Sequence, residues 1–272
     1  MTDYLQLSSK NIEIQWHPKV PDIQTEQNIK ETNLPVLIFL HEGLGCTMMW
    51  KDFPAKLSQI TGCPALVFSR FGYGKSDPSP LPWKINFMHT QALKTLPEII
   101  KAAHIKRYIL IGHSDGASIG TIFSGSPHLK ETKGLKGLIT EAAHVFCEQI
   151  TVDCIKQAKI NYEHHNLRQG LEKYHGSNTE NAFRGWNNVW LNPKFMSWNI
   201  EKYLSKIQVP VLAIQGKNDQ YGTKKQIDSI KNSVKYIETH LLDNCRHSPH
   251  NDQTNIVLNL MGQFIHKIIT GV

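Results

Sequence analysis

The chain has no apolar run near the ~20 residues that a membrane span requires. Met1–Lys10 has no basic stretch leading into an apolar one, so a secretory leader is not expected either. The five cysteines, Cys46, Cys63, Cys147, Cys154 and Cys245, are odd in number and never spaced C-x-x-C. That argues for reduced thiols and against a disulfide framework or a zinc ribbon. Neither H-x-H-x-D-H nor H-E-x-x-H occurs, so no metal and no other cofactor is expected. His164 and His165 are adjacent and would not share a helix face, which makes them poor joint ligands. The chain also lacks repeats, low-complexity tracts and a basic arm. Its formal charge of +7 is dispersed, which reads as solubility and gives no reason to expect a nucleic-acid or membrane partner. The expectation is a cytoplasmic protein acting on a small molecule, with its oligomeric state open.

What the chain does have is enough apolar residue for a substantial core, 40% of 272 positions against 19% charged. That suits one α/β domain with one sizeable insertion. Leu5–Leu7 and Ile12–Trp16 read as two short antiparallel strands turning at 8–11, and the polar residues 18–34 as a loop. Val36–Leu40, Ala65–Phe68, Tyr108–Ile111 and Leu135–Thr140 are short apolar runs suited to buried parallel strands. Between them lie helical stretches, Phe87–His104 (interrupted by Pro97) and 115–125. The β-α-β rhythm stops over 147–207, where helical spacing appears at 149–175, 179–190 and 197–206. It resumes with a strand at Val209–Ile214, a helix at 223–233, a strand at 236–242 and a helix at 253–269. The reading is a mostly parallel, eight-stranded sheet flanked by helices. Residues 1–146 and 208–272 form the core, and 147–207 form a helical cap inserted after the sixth strand.

Three places carry chemistry. Gly112-His113-Ser114-Asp115-Gly116 is a G-x-S-x-G between a strand and a helix, the context in which such a serine stands as a nucleophile. A hydroxyl needs a base to take its proton and a carboxylate to orient the base. Asp219 and His247 each follow a strand end, in the order serine, acid, histidine. His250 competes with His247 as the base, and Glu141 with Asp219 as the acid. An oxyanion needs two fixed donors. The Asp115 backbone N–H is one candidate, with its side chain turned away. Gly43, in His41-Glu42-Gly43-Leu44-Gly45, is the other, with Glu42 left open as an alternative. Glu42, His144, Trp186 and Trp190 are candidate substrate contacts. The two tryptophans lie four apart on one helix face, where cap core and acyl-binding wall are equally open readings.

With those motifs the chain resembles the α/β-hydrolase superfamily over essentially its full length. Arg70-Phe-Gly-Tyr-Gly-Lys-Ser-Asp77 is similar to that family's D-x-x-G-x-G-x-S loop, with Arg70 instead of the Asp, and Glu42 stands where the family usually has Gly after the His. His41–Gly45, Gly112–Gly116 and His247-Ser-Pro-His250 together resemble a bacterial subgroup of metal-independent, AidA-like lactonases that open acyl-homoserine lactones. The resemblance implies a serine hydrolase of carboxylic esters or lactones, acting through an acyl-enzyme on Ser114 in quorum quenching. The same fold also hosts C–C bond hydrolases, cofactor-free peroxidases and ligand receptors that keep the triad, and these stay open. Dehalogenases and epoxide hydrolases need an Asp at position 114.

Overall fold

The structure, a computed structural model, describes residues 3–8, 10–18, 34–127 and 129–271. The loop expected over 18–34 lies almost wholly outside the described residues, as does residue 9 of the turn at 8–11. Eight strands form one sheet in the order β1-β2-β4-β3-β5-β6-β7-β8. The strands are β1 (Asp3–Leu7), β2 (Lys10–His17), β3 (Val36–Leu40), β4 (Ala65–Phe68), β5 (Tyr108–His113), β6 (Leu135–Glu141), β7 (Val211–Gly216) and β8 (Ile237–Leu242). β2 pairs antiparallel with β1 and β4, and every other pairing is parallel. The observed fold class is the expected one.

The central strands of the sheet are buried on both faces, and their sequences read accordingly. All five residues of β3 are buried. Side chains alternate across a strand, so Leu37 and Phe39 join one core and Val36, Ile38 and Leu40 the other. The first core packs on α1 (Phe53–Thr61) and α8 (Thr254–Thr270) through Leu57, Val257, Met261 and Ile265. The second packs on α3 (Asp115–Ser124) through Ile119, Ile122 and Phe123, and continues into the helices that follow β6. Among the described residues no helix is long and apolar enough to cross a membrane. All five cysteines are free.

Three helical expectations need correction. Pro97 does not interrupt the segment after residue 87. Phe87–Thr90, a π-helical turn at Gln91–Thr95 and α2 (Leu96–Ala102) run on without a break. The Leu96 N–H donates to the Gln91 carbonyl five residues back. The widened turn leaves Pro97 in the first turn of α2, where a missing N–H costs nothing. The stretch 149–175 is two helices, α4 (Gln149–His164) and α5 (Leu167–His175), parted by an extended His165. The stretch 197–206 keeps only the turn Glu201–Leu204, because the backbone around Asn199 bridges to Phe146. There the Cys147 N–H donates to the Trp198 carbonyl at 3.1 Å, and the Ile200 N–H to Val145 at 2.7 Å. α6 (Thr179–Trp190) and, after β7, α7 (Lys225–Ser233) are the other α-helices longer than a single turn among the described residues, and a one-turn helix at Pro249–Asp252 precedes α8.

Candidate active site

Ser114 sits in the tight turn between β5 and α3, at φ 52° and ψ −118°. This is left-handed backbone, which an L-residue adopts only where its surroundings impose it. The imposition comes from close approach on both sides. A Cβ on Gly116 would lie 2.0 Å from the Leu40 carbonyl oxygen, and one on Gly112 would lie 2.5 Å from the Gly116 oxygen. The Ser114 N–H donates to the Glu141 carbonyl at the end of β6, 2.9 Å away. The hydroxyl therefore stands at the carboxyl edge of the sheet.

Two later strand ends bring the partners. His247 Nε2 lies 2.9 Å from Ser114 Oγ, and His247 Nδ1 lies 2.7 Å from Asp219 Oδ1. The Asp219 carboxylate also accepts the Tyr221 N–H at 2.9 Å and contacts Gln215 Nε2 at 3.3 Å. Burial opposes its charge, but the His247 hydrogen bond and the neighbouring amide outweigh burial and hold the carboxyl below its ordinary 3.8. His250, the competing histidine, lies behind this chain. Its Nδ1 is 2.5 Å from the competing acid, Glu141 Oε2, and its Nε2 is 3.0 Å from the Asn251 amide. The two competitors thus pair with each other.

The loop after β3 forms the facing wall. His41 Nε2 accepts the Arg70 backbone N–H at 3.0 Å, so His41 Nδ1 carries the hydrogen and donates to the Glu42 carbonyl at 2.7 Å. Burial, reinforced by Arg70, keeps the His41 pKa well below 6.5, consistent with this neutral tautomer. The same carbonyl accepts the Arg70 guanidinium at 2.7 Å and the Gly45 N–H at 3.2 Å. The Glu42 carboxylate stands 3.5 Å from His113 Nδ1, a charge contact longer than a hydrogen bond. His113 donates through Nε2 to the His247 carbonyl at 2.7 Å. Burial opposes a charge on His113, but Glu42 overcomes it and pushes the pKa up to about 9. Burial likewise opposes the Glu42 charge, and His113 more than offsets it, leaving the carboxyl well below its usual range.

The other sequence candidates surround one cavity of about 120 Å³. Its walls include Glu42, Gly43, Ser114, His144, Trp186, Trp190 and His247. Trp186 presses on the loop after β3 so closely that a Cβ on Gly43 would lie 2.1 Å from the indole nitrogen. Trp190 donates its indole N–H to Asp115 Oδ1 at 3.2 Å. The Asp115 side chain, expected to turn away from the hydroxyl, makes this contact in the wall of the same cavity. Its charge is met by Trp190, and burial pushes its pKa up to about 6. His144 packs edge-on to Trp190 at 5.3 Å, and burial lowers its pKa to about 4. Trp198, the third tryptophan of the segment 147–207, is not among the cavity's lining residues and lies one layer back. It stacks on Phe195 at 5.3 Å and is 5.9 Å from the Trp190 ring. His164 is exposed at the end of α4.

Sequence reasoning missed Tyr221, Leu44, Thr151 and Ile155 as cavity walls. It also missed His113 and Arg70 as supports of the two loops. His113 was visible in the serine motif and Arg70 was visible as a departure, but neither spacing reveals what the side chain reaches.

No family model and no curated protein matches this sequence. Solved structures do. The enol-lactonase from Burkholderia xenovorans LB400 is 14% identical, with 97% of this chain and 100% of that chain covered at a TM-score of 0.73. The proline iminopeptidase of Mycobacterium smegmatis is 16% identical, with 98% of each chain covered at 0.68. MGS-M2, an alpha/beta hydrolase enzyme from a Medee basin deep-sea metagenome library, is 16% identical, with 98% and 97% covered at 0.69. At such identities the likeness speaks for architecture and not for reaction or substrate, and it shows that this chain has the α/β-hydrolase fold.

Proposed function

We propose that the protein is a serine hydrolase of small carboxylic esters or lactones, acting through an acyl-enzyme on Ser114. The observation that carries this is the hydrogen-bonded chain Asp219–His247–Ser114, at 2.7 and 2.9 Å, opening on a cavity. In this reading His247 takes the proton of Ser114 as its oxygen attacks the acyl carbon. Asp219 holds the imidazole in the tautomer with Nε2 free to accept and steadies the imidazolium that forms. The amides of Gly43 and Asp115 receive the oxyanion. His247 returns the proton to the leaving alkoxide and then activates the water that cleaves the ester on Ser114.

Residues 147–207 act as a cap, since α4 and α6 supply Thr151, Ile155, Trp186 and Trp190 to the cavity. A cavity of about 120 Å³ is smaller than the ~300–1,000 Å³ of most ligand pockets. Short acyl groups suit it as it stands, and longer ones need the cap to move. The most specific form of the reading is an acyl-homoserine lactone of short chain, opened in quorum quenching by an enzyme without a cofactor. The test is a panel of aryl esters, γ-lactones and acyl-homoserine lactones of rising chain length, with Ser114→Ala as control. Hydrolysis lost in Ser114→Ala supports the hydrolase. Ester cleavage without ring opening at any chain length removes the lactonase and leaves the esterase.

A further inference from the structure

The Glu42 carbonyl is held from three directions, by the His41 imidazole N–H, the Arg70 guanidinium and the Gly45 amide. His41 and Arg70 are themselves buried, and the Arg70 backbone N–H fixes the His41 ring that serves as one of the donors. The Glu42–Gly43 peptide is trans, since the cis peptides among the described residues are His17–Pro18 and Leu81–Pro82. In a planar trans peptide the C=O and the next N–H point in opposite directions. Fixing the Glu42 oxygen toward Arg70 and His41 therefore turns the Gly43 N–H the other way, to the side where Gly43 and Ser114 border the cavity.

We propose that Arg70, together with His41, is a positioning residue for catalysis. By taking the Glu42 carbonyl it sets the Gly43 amide as an oxyanion donor. This rests on the hydrolase reading above and adds a residue to it. Arg70 touches no reacting atom in this account. Its effect is on an amide whose work is done in the tetrahedral state, so losing it lowers kcat and spares ground-state binding. The same logic explains why Glu42 is accommodated after His41: the loop is held through the backbone oxygen of that residue, which any side chain leaves available.

The experiment compares wild type with Arg70→Met and Arg70→Lys on the best ester of the panel. The probes are an alkyl boronic acid, which forms a tetrahedral adduct on serine, and the matching primary alcohol, which does not. Removing one oxyanion donor costs ~100- to 1,000-fold in kcat, so a donor left in place but loosened is expected to cost ~10- to 100-fold. Arg70→Met is expected to lose that in kcat and a similar factor in boronic-acid affinity, with KM and alcohol affinity within about threefold. Arg70→Lys, which keeps a charged donor on a shorter reach, is expected to recover part of the loss. A folded Arg70→Met with unchanged kcat and boronic-acid affinity overturns the proposal, and so does an equal loss in alcohol affinity.

If Arg70→Met does not fold, wild type alone decides. Glu42-Gly43 is the sequence's single Glu-Gly pair, so carbonyl-labelled Glu with ¹⁵N-labelled Gly isolates its amide resonance. That resonance is expected to move downfield when the boronic acid binds, and an unmoved resonance in the adduct refutes the role. A wild type that neither hydrolyses the panel nor binds the boronic acid at Ser114 contradicts the hydrolase reading instead.

Discussion

Asp115 follows Ser114, the proposed nucleophile, and brings a buried carboxylate to the place where the proposed reaction develops negative charge. Its pKa of about 6 reflects burial, which Arg70 and the Trp190 N–H reduce without overcoming. Near neutral pH the side chain is therefore mostly charged, and in the proposed mechanism it opposes the oxyanion. Asp115→Asn keeps the backbone amide and an oxygen for Trp190 while removing that charge. The ratio of variant to wild-type kcat/KM is expected to be near one at pH 5 and to rise several-fold as pH passes about 6. A flat ratio in parallel pH profiles would show that the carboxylate does not reach the reaction electrostatically.

His113 gives a second test, this time on stability. Its folded pKa of about 9 exceeds the ordinary 6.5. The stability drawn from its charge is thus complete below about 6.5, declines as pH rises, and is gone above about 9. His113→Gln should remove that part of the decline, measured as denaturation midpoints from pH 6 to 10. It should also slacken the His247 loop, whose carbonyl His113 holds. A wild-type midpoint that stays level through this window contradicts a charged His113.

At the scale of elements, α6 joins the proposed cap to the candidate oxyanion site. Trp186 meets Gly43 and Trp190 meets Asp115, one helical turn apart. The four-residue spacing gave the shared face in advance. It could not show which neighbours that face would meet, because those neighbours come from the loop after β3 and from α3, more than sixty positions away in sequence. Each ring is nearly buried and each also lines the cavity, so both the packing reading and the proposed substrate-wall reading keep an observation behind them. Trp186→Ala should shift the preference toward longer acyl chains, because it enlarges the cavity on one side. Trp190→Phe should destabilise the fold by about 1–3 kcal/mol by leaving the Asp115 carboxylate without its donor. Chain-length profiles and thermal melts check the two, and a Trp186→Ala profile identical to wild type places the acyl group elsewhere.

Helix interiors were less legible than strands. β3 and β4 coincide with their apolar runs because a strand buried on both faces leaves little room for any other residue type. Pro97 misled because the rule for proline concerns an α-helical hydrogen bond, and the π turn before it changes which residue must donate. The stretch near Asn199 misled because its backbone bonds go to Phe146 and its neighbours, a long-range partnership that helical spacing cannot reveal.

Over the whole molecule, three segments far apart in sequence converge because parallel strands present their carboxyl ends on one edge. β5 delivers Ser114, β7 delivers Asp219 and β8 delivers His247. Chain order and strand ends were readable from sequence, since each residue follows an apolar run within a few positions. The supporting contacts of Arg70, His113 and Glu42 were not, because they depend on side chains crossing between loops. The substrate is a matter of cavity shape, which the fold does not dictate.

The central claim is that Ser114 becomes covalently acylated during turnover. It is tested most directly by quenching the enzyme in acid during hydrolysis of a slow ester and mapping the adduct by peptide mass spectrometry. The account predicts one acyl group on the peptide containing Gly112–Gly116, fragmenting to Ser114, and neither adduct nor turnover in Ser114→Ala. Turnover by Ser114→Ala at the wild-type rate, or an acyl group carried on another residue, would contradict it.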